Sequence, residues 1–340
     1  MYPVKVYLDR LRLAKRSDAT IRSYAWILKD FARVSGIPIE KIHENLTTEN
    51  LIKYAADQQE KGRSERAMAV RLRVLHRYYT INGVKLDPME MNIIRMRITE
   101  EPEDRPISLE LLQKMMDQAD VRGKAIISFL ISTGCRSGEL CKLRVGDING
   151  DTVKFPSHIT KGKRGRTSYL TSEAEQFLST WLNIRPKYLE RAMKRTYSKN
   201  LEKNDPRLFV CSYSTLRQIW SKWYDACDGS RGKYGQARCT IHSTRRYFRT
   251  RSVQSIPLDA VEKIMGHSGA YLAGSYVRLT DEEIRAAFHA GEDVLYITRR
   301  DRRHSENALE IEKQQRLKLE EELGIVKMLV AEMRADKSQM

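Results

Sequence analysis

Arg136, Lys161, His242, Arg245, His267 and Tyr276 are two guanidiniums, an ammonium, two imidazoles and a phenol, and together these groups can handle a phosphodiester. A phosphodiester in mid-transfer carries negative charge on its non-bridging oxygens, and positioned cationic donors stabilise that charge. Tyr276 adds an oxygen nucleophile. Attack by such an oxygen on phosphorus divides one difficult transfer into two easier ones through a covalent intermediate. The chain has no G-x-x-x-x-G-K-[ST] segment and no carboxylate cluster with metal-ligand spacing, so no cofactor and no metal are expected. The set implies cutting and rejoining of nucleic-acid strands.

The local contexts narrow this reading. The first box is Thr133-Gly134-Cys135-Arg136-Ser137-Gly138-Glu139-Leu140, the second His242-Ser243-Thr244-Arg245, and the third Met265-Gly266-His267, with Tyr276 nine positions further on. Taken singly, H-x-x-R is as compatible with a helical surface pair, and Gly266 with a plain helix C-terminus after Leu258, Val261 and Ile264. Taken together and in this order, the boxes resemble the tyrosine recombinase (phage integrase) family, whose pattern is T-G-x-R-x-x-E-L, a lysine in a β-hairpin, H-x-x-R, G-H and a tyrosine. All six positions are filled here.

The resemblance implies roles. Arg136 and Arg245 would hold the non-bridging oxygens of the scissile phosphate, with guanidinium forks that match that geometry. Lys161 would protonate the departing 5′ oxygen, with Lys163 in the same turn as its rival; Arg164 and Arg166 would contact phosphates. His242 would accept the tyrosine proton or hold a phosphate oxygen, and His267 would donate to a non-bridging oxygen. Glu139 reads as structural, tying its helix or orienting arginines. Tyr271 is the nearby competitor of Tyr276, at the wrong distance from His267.

Length and composition bound the rest. A chain of 340 residues with 41% hydrophobic content supports two domains with ordinary cores. The net charge of +17 and pI near 9.6 point to an anionic partner, of which nucleic acid is the usual one. Cys135, Cys141, Cys211, Cys227 and Cys239 show no C-x-x-C pairing, which signals neither a zinc site nor a disulfide framework and fits free thiols in a reducing cytoplasm. No apolar leader or membrane span is apparent, so a cytoplasmic protein is expected: nucleoid-associated, or in the host cytoplasm if viral.

The elements that must position the set are mainly helical. Ser17-Asp18 caps a helix with Ile21, Tyr24, Ile27, Leu28 and Phe31 on one face, ended by Gly36-Ile37-Pro38. A second helix starts near Thr48. A third, over residues 64–79, buries Ala67, Val70, Leu72 and Leu75 and displays Arg63, Arg66, Arg71, Arg73 and Arg77, where a solvated face and a DNA-backbone contact fit equally on composition alone.

Residues 1–97 thus form a helical domain, and an acidic, proline-bearing stretch at 98–107 reads as a linker. A second domain spans 108–298, with helices at Leu111, Leu112 and Met115 and over 126–131. Residues 151–170 change period: Val153, Phe155 and Ile159, a basic turn over 161–166, then Ser168-Tyr169-Leu170 read as a β-hairpin carrying the lysine. The pattern then returns to helix, with Trp181, Leu182, Trp220 and Trp223 in the core. Residues 299–340 place Leu319, Leu323, Val326, Val330 and Met333 in a short heptad seam, a tail that could dock on its own domain or on a neighbour.

The fold class expected is therefore mainly α with a small β-hairpin or sheet. The resemblance implies a two-domain, C-shaped clamp of a helical core-binding domain and a mixed α/β catalytic domain. It also implies double-stranded DNA attachment sites as partners, a 3′-phosphotyrosyl intermediate, a Holliday junction, and a homo-tetramer on DNA that is a monomer or weak oligomer when free. An integrase of a virus, plasmid or other mobile element is the biology this suggests. Two alternatives remain: a type IB topoisomerase-like relaxing enzyme, and a non-catalytic DNA-binding regulator on the same fold.

Overall fold

The computed structural model describes residues 2–86, 106–194, 202, 204–267 and 279–298. They fall into two compact units. The linker sequence at 98–105, Tyr271, Tyr276 and the heptad tail after residue 298 lie outside the described residues.

The first unit is helical. Helix α1 spans Val4–Leu13, α2 Asp18–Ser35, α3 Thr48–Glu60 and α4 Glu65–Ile81. Their starts follow the capping logic of the sequence: the hydroxyls of Ser17, Thr47 and Ser64 accept from the backbone N–H groups of Thr20, Asn50 and Ala67. Gly36 ends α2 at φ +72°, a left-handed conformation that glycine adopts without a side-chain penalty. Helix α1 was not singled out from sequence, although Val4, Tyr7 and Leu11 recur at helical spacing and are buried. The core is aromatic: Phe31 meets Tyr54 and Tyr79 edge-on, and Tyr7 meets Tyr78 at 5.2 Å between ring centroids.

The face of α4 differs from expectation at one position. Val70 is 50% exposed, and the core is served by Met68, Leu72, Val74, Leu75, Tyr78 and Tyr79. At about 100° per residue the buried positions span an arc of about 160° with Val74 at one edge, and Val70 falls about 40° beyond that edge.

The second unit contains α5 (Leu109–Gln118), α6 (Val121–Thr133), the short α7 (Ser137–Leu140), α8 (Ser172–Met193), α9 (Tyr213–Cys227), α10 (Ile241–Ser252), α11 (Leu258–Met265) and α12 (Asp281–Ala290). Between α7 and α8 lies a three-stranded antiparallel sheet in the order β1 (Ile148–Asn149), β2 (Thr152–Phe155), β3 (Arg166–Tyr169). The expected hairpin is β2–β3, with Val153 opposite Ser168 and Phe155 opposite Arg166; β1 adds an edge strand that two residues are too few to announce in a sequence.

Helix α6 is the spine. Ala125, Ile126, Ile127, Phe129, Leu130 and Ile131 are all buried, as expected of a helix that is apolar all round. It packs on α8, α10 and β3. Its polar residues serve its neighbours: Ser132 Oγ donates to the Tyr169 carbonyl at 3.1 Å and accepts from Thr171 N–H at 2.7 Å, while Ser168 Oγ donates to the Thr133 carbonyl at 3.2 Å. These bonds pin strand β3 to the end of α6, so the hairpin and the first arginine box share one anchor. Trp181, Trp220 and Trp223 are buried, and Leu182 is half-buried against the same core.

Candidate active site

The first arginine box begins where α6 must stop. Gly134 sits at φ +56° and its N–H reaches the Leu130 carbonyl. A Cβ there would stand 2.4 Å from Cδ1 of Phe248 on α10, so glycine allows both the left-handed turn and the close approach of α10. Two residues on, Arg136 precedes α7. Its backbone N–H donates to Glu139 Oε2 at 2.9 Å, and its guanidinium Nη1 to Glu139 Oε1 at 3.1 Å.

Glu139 is 2% exposed and takes a second guanidinium, Arg166 Nη2, at 2.6 Å. Burial pushes its carboxyl up, but the Arg166 hydrogen bond and charge, with those of Arg136, outweigh burial and hold it below the usual carboxylate range. The expectation that Glu139 orients arginines agrees with this geometry.

Arg166 requires a correction. It was expected on DNA phosphates from its place in the basic turn, yet it is the first residue of β3 and its side chain is 5% exposed. Its Nε donates to the Ile264 carbonyl at 2.9 Å and its guanidinium lies 4.1 Å from the Phe155 ring centroid. The reason is strand alternation: one residue past the turn, the side chain points into the unit, where two fixed acceptors and an aromatic face receive it. Arg166 is a structural bracket between the hairpin, α7 and α11.

Arg245 is the buried centre, 4% exposed on α10. Nη1 donates to the Gly134 carbonyl at 2.5 Å, and Nη2 to the Met265 carbonyl at 2.7 Å and to His267 Nε2 at 2.9 Å. One side chain therefore ties all three boxes together. Burial, and then the like charges of Arg136 and Arg166, pull its pKa down to about 10, so it keeps its charge at neutral pH while repelled by its neighbours.

His267 follows the glycine that ends α11. Gly266, at φ +65°, lets His267 N–H return to the Glu262 carbonyl at 3.1 Å; a Cβ on Gly266 would stand 2.6 Å from Arg166 Cδ. The His267 ring lies between Glu262 Oε2, 2.5 Å from Nδ1, and Arg245. Glu262, 5% exposed, also accepts from Arg249 Nε at 2.8 Å. Burial pushes its carboxyl up, and the bonds from Arg249 and His267 bring it below the usual range. Glu262 and Arg249 escaped the sequence reading, since neither belongs to a box; their one signal was placement, Glu262 on the helix that ends just before His267 and Arg249 on the helix of Arg245.

The structure thus brings together Arg136, Arg245 and His267, with Glu139, Arg166 and Glu262 behind them. His242 is exposed on the first turn of α10, three residues before Arg245. Lys161, Lys163 and Arg164 are exposed in the β2–β3 turn, where Thr160 Oγ1 donates to the Ser157 and Arg164 carbonyls and Lys163 adopts φ +52°. Tyr276 lies outside the described residues. The described chain resumes at Leu279, whose carbonyl accepts from Lys263 Nζ at 2.9 Å.

On the first unit, Arg63, Arg66 and Arg73 are exposed on or just before α4. Arg71 is half-buried with its guanidinium 4.5 Å from the ring centroid of the exposed Trp26. All five cysteines are free thiols, and among the described residues no helix is long and apolar enough to cross a membrane.

Comparison with known proteins agrees with this architecture. Residues 106–283 match the phage integrase family and residues 4–81 the phage integrase N-terminal SAM-like domain. The chain is 23% identical over 283 residues to the tyrosine recombinase XerA of Pyrococcus furiosus, covering 82% of this chain and 89% of the relative. It is 20% identical over 297 residues to the tyrosine recombinase XerC of Bacillus pumilus, covering 84% and 94%. In fold it is similar to a lambda integrase dimer bound to a COC′ core site, with TM-score 0.57, 14% identity and coverage of 82% and 98%. A lambda integrase tetramer bound to a Holliday junction gives TM-score 0.56, 15% identity and coverage of 82% and 79%.

Proposed function

The chain belongs to the phage integrase family, and from that premise we propose that it is a site-specific DNA recombinase acting through a phosphotyrosyl intermediate on Tyr276. The observation that carries the reading is Arg245: a buried cation, pressed by two neighbouring guanidiniums, whose hydrogen bonds among the described residues go to carbonyls and a ring nitrogen. An anion arriving beside it relieves that repulsion, and a scissile phosphate is the anion a strongly basic DNA-acting protein meets.

The chemistry is a transesterification. Tyr276 Oη attacks phosphorus, a P–O bond to tyrosine forms, and the P–O5′ bond breaks. The phenolic proton passes to His242, and Lys161 gives a proton to the departing 5′ oxygen. Arg136 and Arg245 hold the non-bridging oxygens as charge develops, and His267 braces the Arg245 guanidinium. The reverse step, attack of a 5′ hydroxyl on the phosphotyrosyl bond, restores the diester and the tyrosine, so no external energy source enters the balance.

Residues 1–97 supply a DNA-binding domain and 108–298 the catalytic one. Arg63, Arg66 and Arg73, with Lys163 and Arg164 of the turn, contact phosphates, and Arg71 contributes through its stack on Trp26. Recombination acts on two duplexes, so four protomers assemble on DNA from a monomer or weak oligomer and work in the cytoplasm.

The test is a pair of substrates carrying a candidate attachment site. Strand exchange between two linear duplexes, dependent on Tyr276, supports recombination. Relaxation of supercoiled DNA without exchange would make the protein a topoisomerase, and sequence-specific binding without cleavage would make it a regulator.

A further inference from the structure

We propose that Glu262 is a positioning residue for strand transfer: its carboxylate fixes the tautomer and the plane of His267, whose Nε2 then accepts from Arg245 and holds that guanidinium at the place where phosphate charge develops. The inference rests on the function proposed above and adds a residue to it.

The geometry leaves one arrangement satisfied. An ionised carboxylate only accepts, so His267 Nδ1, 2.5 Å from Glu262 Oε2, carries a hydrogen. A guanidinium only donates, so the neutral ring accepts at Nε2 from Arg245 Nη2, 2.9 Å away. The opposite tautomer would set a lone pair against the carboxylate and an N–H against the guanidinium. Carboxylates that orient an imidazole through Nδ1 act this way in metal sites and hydrolytic triads.

The pairing is built in rather than incidental. His267 N–H bonds the carbonyl of the same Glu262, because Gly266 turns the chain back over the end of α11. Arg249 Nε fixes the other carboxylate oxygen at 2.8 Å. Three constraints therefore hold one ring: a backbone bond, a side-chain bond and a braced carboxylate. Among the described residues, the charged groups bonded to the ring are Glu262 of α11 and Arg245 of α10; Arg249 of α10 stands behind Glu262, and Arg136, Arg166 and Glu139 act on Arg245. Among these only Glu262 meets Nδ1. Nothing in the motif boxes marks it, since it lies five residues before His267 and outside them.

The test compares wild type, Glu262→Ala, Glu262→Gln, His267→Ala and the double variant Glu262→Ala/His267→Ala. Each is measured for duplex affinity and for the single-turnover rate of covalent-adduct formation on a nicked suicide substrate. Glu262→Ala should slow adduct formation roughly 10- to 100-fold, with affinity changed less than about threefold. Glu262→Gln should recover most of the rate, because its amide oxygen still accepts from Nδ1–H while the half-exposed Arg249 turns to water. In the His267→Ala background, removing Glu262 should cost nothing further.

A wild-type rate for Glu262→Ala, or an undiminished loss in the double variant, overturns the proposal. Nitrogen chemical shifts of His267 give a readout that does not depend on cleavage: a single Nδ1–H form in wild type, and a tautomer mixture in Glu262→Ala. A mixture already present in wild type also overturns it. If wild type forms no Tyr276-dependent adduct, the proposed function fails, and these shifts still decide whether Glu262 sets the ring.

Discussion

Two parts of the same catalytic unit handle cationic charge in opposite ways. Around Arg245, itself buried, every group is bonded: the guanidinium reaches carbonyls of two other segments, the half-buried His267 is braced by the buried Glu262, and the buried Glu139 is held by Arg136 and Arg166. In the β2–β3 turn, Lys161, Lys163 and Arg164 stand in water. The difference follows from what each part must do. Groups that receive developing negative charge work best when fixed before the substrate arrives, since nothing then reorganises during reaction. A general acid must reach a leaving oxygen only when DNA is present, and a hydrated turn costs little to move.

The comparison breaks first at the lysine. Lys161→Ala should slow adduct formation about 10²- to 10⁴-fold without changing the melting temperature, whereas Lys163→Ala should leave the rate near wild type. A substrate whose 5′ oxygen is replaced by sulfur, a leaving group that needs no acid, should restore Lys161→Ala. An equal loss for Lys163→Ala, restored in the same way, would move the acid two residues along the turn.

At the fixed end, Arg245→Lys should lower the cleavage rate about 10²- to 10³-fold, because a single ammonium cannot reproduce a fork that serves the phosphate and two carbonyls. Here, unlike at Lys161, stability should fall as well, by about 1–3 kcal/mol for a buried carbonyl left without its donor, read by denaturant unfolding.

The two arginines at the boundary sharpen the contrast. Arg166→Ala should destabilise the unit by about 3 kcal/mol, as removing a partner from a buried ion pair does, with Arg136 still on Glu139 limiting the loss. Arg164→Ala should leave unfolding unchanged and reduce DNA affinity severalfold, with a smaller salt dependence. If Arg166→Ala weakened DNA binding at full stability, the assignment of Arg166 to the interior would be wrong.

The smallest effect is in pH. The Glu139 carboxyl is held below its ordinary value, so its pairing stabilises the fold above the unfolded carboxyl pKa of about 4.3 and is lost as pH falls through the depressed folded value. Unfolding free energy should therefore be flat for this group above about pH 5 and decline below it. Glu139→Gln should be less stable at neutral pH but decline less steeply in acid.

Much of this architecture was legible because capping and turn chemistry are local. Ser17 caps the helix it announces, and Gly266 ends its helix as the glycine after Leu258, Val261 and Ile264 allows. The helix–sheet change at 151–170 could be read for the same reason. The less legible features depend on partners distant in sequence. Arg166 and Arg164 are indistinguishable as neighbours in a basic turn; only strand register decides which one turns inward to Glu139 and Ile264. Glu262 reads as an ordinary amphipathic-helix carboxylate until the Gly266 turn folds His267 back onto it. Val70 was misplaced because α4 offers more apolar residues than one face can bury.

The central claim is that this cluster of donors serves a covalent transfer of DNA to Tyr276. The most direct measurement is to trap the protein on a nicked suicide substrate, digest the adduct and sequence the nucleotide-bearing peptide by mass spectrometry. A single DNA-linked peptide modified at Tyr276 and absent from Tyr276→Phe is the expected result. A linkage at any other residue, or an adduct undiminished in that variant, would contradict it.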